Sequence, residues 1–120
     1  MNTPAQYACF EALSKADLYS GLLQERFANR RKVLCEELNK CDRISYVAPD
    51  GTFYAFIDIS ATGLDSKTFC FSLLEKEHVA VIPGLAFGVA FDKYVRLAFT
   101  LNEDCISVGI NRIRKFINNL

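Results

Sequence analysis

Few side chains in this 120-residue sequence have the type and spacing that catalysis requires. His78, its one histidine, follows an apolar helical stretch and has no orienting acid nearby in the sequence, so we interpret it as a helix-end residue. Asp58 ends a strand-like run and is expected to face water. The sequence contains no P-loop, nucleophile elbow or dinucleotide fingerprint, and Gly84 and Gly88 are too generic alone to indicate a phosphate loop.

The five cysteines do not form a pattern that indicates redox or zinc chemistry. Their number is odd, no two make a C-x-x-C pair, and none has a histidine at metal-ligand spacing. Free cysteine often packs as a small apolar residue, so we expect all five in the core: Cys9, Cys35, Cys41, Cys70 and Cys105.

Arg96 is the residue whose position indicates binding. It lies in a strand-like run over residues 94–99, and alternation places Tyr94, Arg96 and Ala98 on one face of that strand. If that face is covered, the guanidinium needs an anionic partner, and its planar donor fork suits a carboxylate. From the residues alone, a solvent-exposed arginine is the favoured alternative.

The surrounding pattern predicts the elements that position Arg96. Proline near the start, apolar stripes and capping residues predict helices over residues 4–15, 18–40, 66–77 with Asp65 or Ser66 as cap, and after Asn102. Apolar and β-branched runs predict strands over residues 44–47, 52–58, 79–82 and 94–99, with Pro49-Asp50-Gly51 as a hairpin turn. Arg26 and Arg30 are predicted to lie on a solvated helix face. We expect an α+β fold, a small, largely antiparallel sheet with helices packed on it.

Composition excludes several classes of function. Fourteen basic and fourteen acidic side chains cancel, which argues against a nucleic-acid or membrane-surface partner. No apolar run approaches the roughly 20 residues that span a bilayer, and the first residues lack a signal-peptide layout. We therefore expect one cytoplasmic domain.

Three segments, in order and spacing, resemble the C-terminal part of class I and II aminotransferases, fold-type I enzymes that use pyridoxal phosphate. The first is Pro49-x-Gly51-x-Phe53-Tyr54-x-Phe56, the second is Val79-x-Val81-x-Pro83-Gly84-x-x-Phe87-Gly88, and the third is Tyr94-Val95-Arg96-Leu97-Ala98-Phe99. The resemblance covers essentially the whole chain. It implies a small C-terminal domain that closes over a cleft whose cofactor is held by a larger domain.

By the same resemblance, Arg96 binds the α-carboxylate of the amino acid or 2-oxo acid substrate, and Gly84, Phe87 and Gly88 form a loop near the cleft. It implies pyridoxal phosphate, a homo-oligomer and no metal. Ser14-Lys15, with Gly21 six residues later, imitates the cofactor-lysine segment of the family. We interpret it as a decoy, because Leu22 and Leu23 stand where an aromatic residue and an arginine are expected.

The chain is therefore expected to be a fragment without catalytic or cofactor-binding residues of its own. Residues 1–16 would be a helix that belongs to, or leads from, a missing N-terminal large domain, and residues 17–120 would be the aminotransferase-like C-terminal domain. We expect enzymatic activity from the full-length aminotransferase and none from these 120 residues alone. The alternative is a non-catalytic relic, or a free-standing interaction module, with the same fold.

Overall fold

The computed structural model describes residues 2–120. In that range the chain forms four α-helices and four β-strands. In chain order these are α1 (Thr3–Ser14), α2 (Ala16–Leu38), β1 (Ser45–Tyr46), β2 (Tyr54–Asp58), α3 (Ser66–Glu77), β3 (Ile82–Pro83), β4 (Tyr94–Ala98) and α4 (Glu103–Asn118).

The four strands form one antiparallel sheet in the order β1-β2-β4-β3. The two central strands, β2 and β4, have five residues each, and the edge strands have two. Phe56 of β2 and Ile82 of β3 lie opposite Arg96 on its two sides. The predicted α+β fold with a small antiparallel sheet is confirmed.

The hydrophobic core lies between one face of the sheet and helices α2, α3 and α4. The sheet contributes Ala55, Ile57, Val95 and, just after β4, Phe99. From α4 come Ile106, Ile110, Ile113 and Ile117, all buried. Their spacing of four, three and four residues places them on one side of the helix, so their burial follows from the periodicity.

Capping residues fix where two of the helices begin. The Asn102 side chain accepts a hydrogen bond from the Cys105 amide at 2.9 Å, and the Asp65 side chain accepts one from the Thr68 amide at 2.9 Å. Helix α3 ends at His78, whose φ of 56° is left-handed, which confirms it as a helix-end residue. Asp58 is half-buried and accepts a hydrogen bond from the Ser60 amide at 2.8 Å.

The predicted bounds of one strand were wrong. The strand expected over residues 79–82 is paired only at Ile82–Pro83, and Val79 and Val81 pack against the core. In the turn before β2, Thr52 has the left-handed φ of 64°, not Gly51. The Thr52 hydroxyl accepts a hydrogen bond from the Tyr54 amide at 3.2 Å, which favours that conformation.

Arg30 does not lie on a solvated face as predicted. It is half-buried, donates a hydrogen bond to the Thr100 carbonyl at 2.7 Å and lies over the Phe27 ring at 5.2 Å. Its Nε is buried and has no hydrogen-bond partner among residues 2–120. The arginine therefore joins α2 to the segment between β4 and α4.

The cysteines are also distributed differently from the prediction. Cys41 and Cys70 are buried as expected and Cys35 is half-buried, but Cys9 and Cys105 are exposed. Cys9 lies on α1, which has no buried residue. Tyr7, Phe10 and Leu13 of that helix are each more than 70% exposed. No helix among residues 2–120 has the length and hydropathy needed to cross a membrane.

Candidate functional site

Arg96 lies in the middle of β4, on the face of the sheet opposite the helices. Its neighbours Val95 and Leu97 point toward the core side. Strand alternation therefore turns Arg96 to the other face, where its side chain is half-buried. On the same face, β2 presents Tyr54 and Phe56.

The Arg96 guanidinium lies between two aromatic rings. Its central carbon is 4.2 Å from the centroid of the Tyr54 ring and 4.9 Å from that of Phe87. Both distances are within the range of cation–π attraction. Residues 2–120 give this guanidinium no acid within ion-pair distance and no hydrogen-bond acceptor. Its N–H donors are therefore free to bind an anion.

Phe56 is the centre of an aromatic cluster beside Arg96. It stacks on Tyr94, with centroids 5.3 Å apart and planes at 12°. It also makes edge-to-face contacts with Phe87 at 5.8 Å and Phe91 at 5.5 Å. Because these rings support one another, Phe87 is held over the sheet next to Arg96.

The loop that carries Phe87 approaches the backbone of β4 closely. It consists of two short 3₁₀ turns, Gly84–Phe87 and Val89–Phe91, with Gly88 between them at a φ of 134°. A Cβ on Gly84 would lie 2.1 Å from the Phe91 carbonyl oxygen and 2.5 Å from that of Tyr94. Only glycine fits there, so Gly84 sets the distance between the loop and the strand.

A buried serine anchors the same loop to helix α3. The Ser66 hydroxyl donates to the Asp92 carboxylate at 2.9 Å and accepts from the Leu85 amide at 3.3 Å. The Ser66 amide donates to the Asp92 carbonyl at 2.8 Å. These bonds join the start of α3, the loop and the residues before β4, which fixes where Phe87 lies.

Burial and hydrogen bonding shift the pKa values of four groups: Cys41, Tyr46, Asp65 and Cys70. Burial raises the pKa of the Cys70 thiol to about 11, and burial together with a hydrogen bond to the Cys35 side chain raises the pKa of Tyr46 to about 12. Burial raises the pKa of Cys41, and hydrogen bonds from Thr68 lower that of Asp65. The Arg96 face presents a guanidinium with aromatic walls, which is suited to binding an anion.

The structure brings the predicted site residues together and adds one. One face of the sheet carries Arg96, and the loop that covers this face contains Gly84, Phe87 and Gly88. Sequence reasoning missed Tyr54 as a contact of Arg96, although Tyr54 stands in the first motif. Strand alternation together with the register of β2 on β4 was the signal that could have found it.

The residues around Lys15 do not fit the cofactor that the resemblance implies. Lys15 is exposed, pairs with Glu11 one turn earlier and separates α1 from α2. A cofactor lysine needs a covered pocket with donors for a phosphate, and α1 contains no buried residue that could form one.

Two concavities lie elsewhere on the molecule. A groove of about 430 Å³ opens between α4 and residues 78–80, lined by Val79, Leu101 and Val108 among others. Another of about 500 Å³ lies between α2 and the turn before β2. Neither is lined by Arg96 or Phe87.

Known proteins match the whole of this fold. The family model for aminotransferase class I and II matches residues 1–113. A probable aspartate/prephenate aminotransferase of Aquifex aeolicus is 39% identical over all of this chain and 31% of its own length. An aspartate aminotransferase of Pyrococcus horikoshii is 36% identical over 92% of this chain and 29% of its own length.

The structural match is equally extensive. The alanine aminotransferase from Pyrococcus furiosus superposes with a TM-score of 0.92 at 28% identity, covering 99% of this chain and 30% of its own. The chain thus spans about 30% of the length of the relatives it matches. Because the family model covers nearly the whole sequence, the chain belongs to the class I and II aminotransferase family.

Proposed function

We propose that this chain is the C-terminal part of a pyridoxal-phosphate-dependent aminotransferase, in which Arg96 binds the α-carboxylate shared by amino acid and 2-oxo acid substrates. Family membership supports the reaction class. The observation that carries the role of Arg96 is its guanidinium, held between Tyr54 and Phe87 without an acid partner among residues 2–120.

The contribution of this chain is to bind and orient the substrate. A guanidinium fork binds both oxygens of a carboxylate, which fixes the direction of the bond to the α-carbon. The partial burial of Arg96 strengthens that attraction, and Phe87 excludes water from one side. Pyridoxal phosphate, when bound by the rest of the enzyme, supplies the electron sink.

The remaining parts of the proposal concern the longer protein. Residues 1–16 lead from a large domain that holds the cofactor, and residues 17–120 form the small domain; the exposed apolar side chains of α1 support this division. The complete enzyme is a homo-oligomer of the cytoplasm, where a reducing environment suits the five free thiols.

The chain alone is expected neither to bind pyridoxal phosphate specifically nor to transaminate. Its lysine candidate is exposed and paired with Glu11. Mixing the purified chain with the cofactor and an amino acid, then recording the visible spectrum, checks this. A borohydride-stable adduct at one defined lysine, together with turnover, would contradict it.

The role of Arg96 is tested in the complete protein that contains this chain, with Arg96→Leu and Arg96→Lys. Removing one partner of a desolvated charge pair costs about 2–5 kcal/mol, which is about a thirtyfold to several-thousandfold fall in kcat/KM. Lysine should rescue poorly because its ammonium does not reproduce the planar fork.

The control is an amine substrate that lacks the carboxylate, for which the defect should shrink. Near-normal activity in a folded Arg96→Leu enzyme, or an equal loss for both substrates, would remove Arg96 from the site. The coding sequence upstream of Met1 tests the division into domains. An in-frame stop just before Met1 would favour the non-catalytic alternative.

A further inference from the structure

We propose that Tyr54 and Phe87 are positioning residues for Arg96: the two rings form an aromatic clamp that fixes the guanidinium while leaving its N–H donors free for a carboxylate. This inference rests on the proposed function and adds residues to the same site. The clamp is defined by the 4.2 Å and 4.9 Å distances from the guanidinium carbon to the two ring centroids.

The aromatic clamp holds the guanidinium without occupying its N–H donors, as an acidic partner would. An aspartate or glutamate beside Arg96 would hold the guanidinium, but it would also occupy the donor fork and cancel its charge. A ring attracts the cation through its face and accepts no strong hydrogen bond, so the edge of the guanidinium remains available. The aromatic contacts of Arg96 and the absence of an acid partner among residues 2–120 are thus two parts of one arrangement.

The two halves of the clamp are held by different parts of the fold. Tyr54 belongs to β2, whose pairing with β4 sets its distance from Arg96. Phe87 belongs to the loop that Gly84 seats against β4 and that Ser66 anchors to α3. Because sheet pairing holds one ring and the loop anchors hold the other, the guanidinium is oriented before the substrate arrives, which lowers the entropy lost on binding.

The clamp is tested first in the 120-residue chain by NMR. Ring currents should shift the Nε proton of Arg96 upfield of the other arginine signals, with the assignment made from the signal that Arg96→Lys removes. Tyr54→Leu should lose part of that shift and Tyr54→Phe should retain it. An unshifted signal in a chain that is folded by circular dichroism would overturn the clamp.

The functional test uses the complete protein and compares rings that touch Arg96 with one that does not. Tyr54→Leu should raise KM for an amino acid about five- to tenfold and change kcat less, and Phe87→Leu should act in the same direction. Tyr54→Phe keeps the ring and should stay within about twofold of the wild type. With an amine substrate that lacks a carboxylate, KM should be the same for all of these variants.

Phe116→Leu is the matched control, because Phe116 is a buried ring that packs against Phe69 in the core, on the face of the sheet away from Arg96. Its KM should remain near the wild-type value. An equal rise of KM in Phe116→Leu and Tyr54→Leu would overturn the clamp, since ring loss would then act through general packing.

Arg96→Leu distinguishes a failure of the aromatic clamp from a failure of the proposed carboxylate binding by Arg96. A large loss in Arg96→Leu with a normal KM in Tyr54→Leu would overturn the clamp and leave carboxylate binding by Arg96 intact. Normal activity in Arg96→Leu would overturn the proposed role of Arg96, and the clamp with it.

Discussion

The two faces of the sheet are built from the same strands but differ in what covers them. Ala55, Ile57 and Val95 on one face are at most 3% exposed beneath three helices. Tyr54, Phe56 and Arg96 on the other are only half-buried, beneath one loop. Strand alternation therefore places adjacent residues of β4 in two different environments, the hydrophobic core and an open aromatic face.

The largest expected effect contrasts a phenylalanine from each face. Phe99→Ala should lower the free energy of unfolding by about 3–5 kcal/mol, because Phe99 is 1% exposed and its removal leaves a cavity in the core. Phe56→Ala on the open face should cost less than about 2 kcal/mol. Urea unfolding followed by circular dichroism measures both, and equal losses would break the distinction between the faces.

Gly84 tests how firmly the loop on the open face is held against β4. Gly84→Ala should destabilise the chain by about 1–3 kcal/mol, because its Cβ would collide with the Phe91 and Tyr94 carbonyls. Gly109→Ala is the matched control: it lies in α4 with nothing within 4 Å of its Cβ, so it should stabilise by about 0.5–1 kcal/mol. A neutral Gly84→Ala would mean that the loop is not held against β4.

A smaller effect is expected from the buried thiol of α3. An unfolded thiol ionises near pH 9.0, whereas Cys70 has a pKa of about 11 in the fold. The unfolded state therefore releases a proton first, and the free energy of unfolding should fall as pH rises from 9 through 11.

The measurement for Cys70 is the pH dependence of urea unfolding in the wild type and in Cys70→Ala, where the slope over this range should be weaker. Cys105→Ala is the control, because Cys105 is exposed. A slope in Cys70→Ala as steep as the wild-type slope would show that the core face does not hold the thiol in its neutral form.

The smallest effect should come from α1, which belongs to neither face. Deleting residues 1–14 should change the free energy of unfolding by less than about 0.5 kcal/mol, because α1 has no buried residue. A larger loss in urea unfolding would show that α1 supports the sheet through α2.

The sequence predicted what depends on local periodicity and capping. The helix after Asn102 was predicted correctly, and so was a cap at Asp65 or Ser66, of which Asp65 is the one that forms, since each is a pattern within a few residues. The contact of Arg30 with Thr100 was not predictable, because it joins residues 70 positions apart. The same holds for Tyr54 beside Arg96, which depends on the pairing of β2 with β4.

The edge strands β1 and β3 have a consequence for how this sheet behaves in a crowded solution. Each is only two residues long, and β3 contains Pro83, which has no backbone N–H to donate. An incoming extended peptide would find too few free backbone groups on either side to continue the ladder. An open aromatic face can therefore exist on this fold without inviting edge-to-edge aggregation.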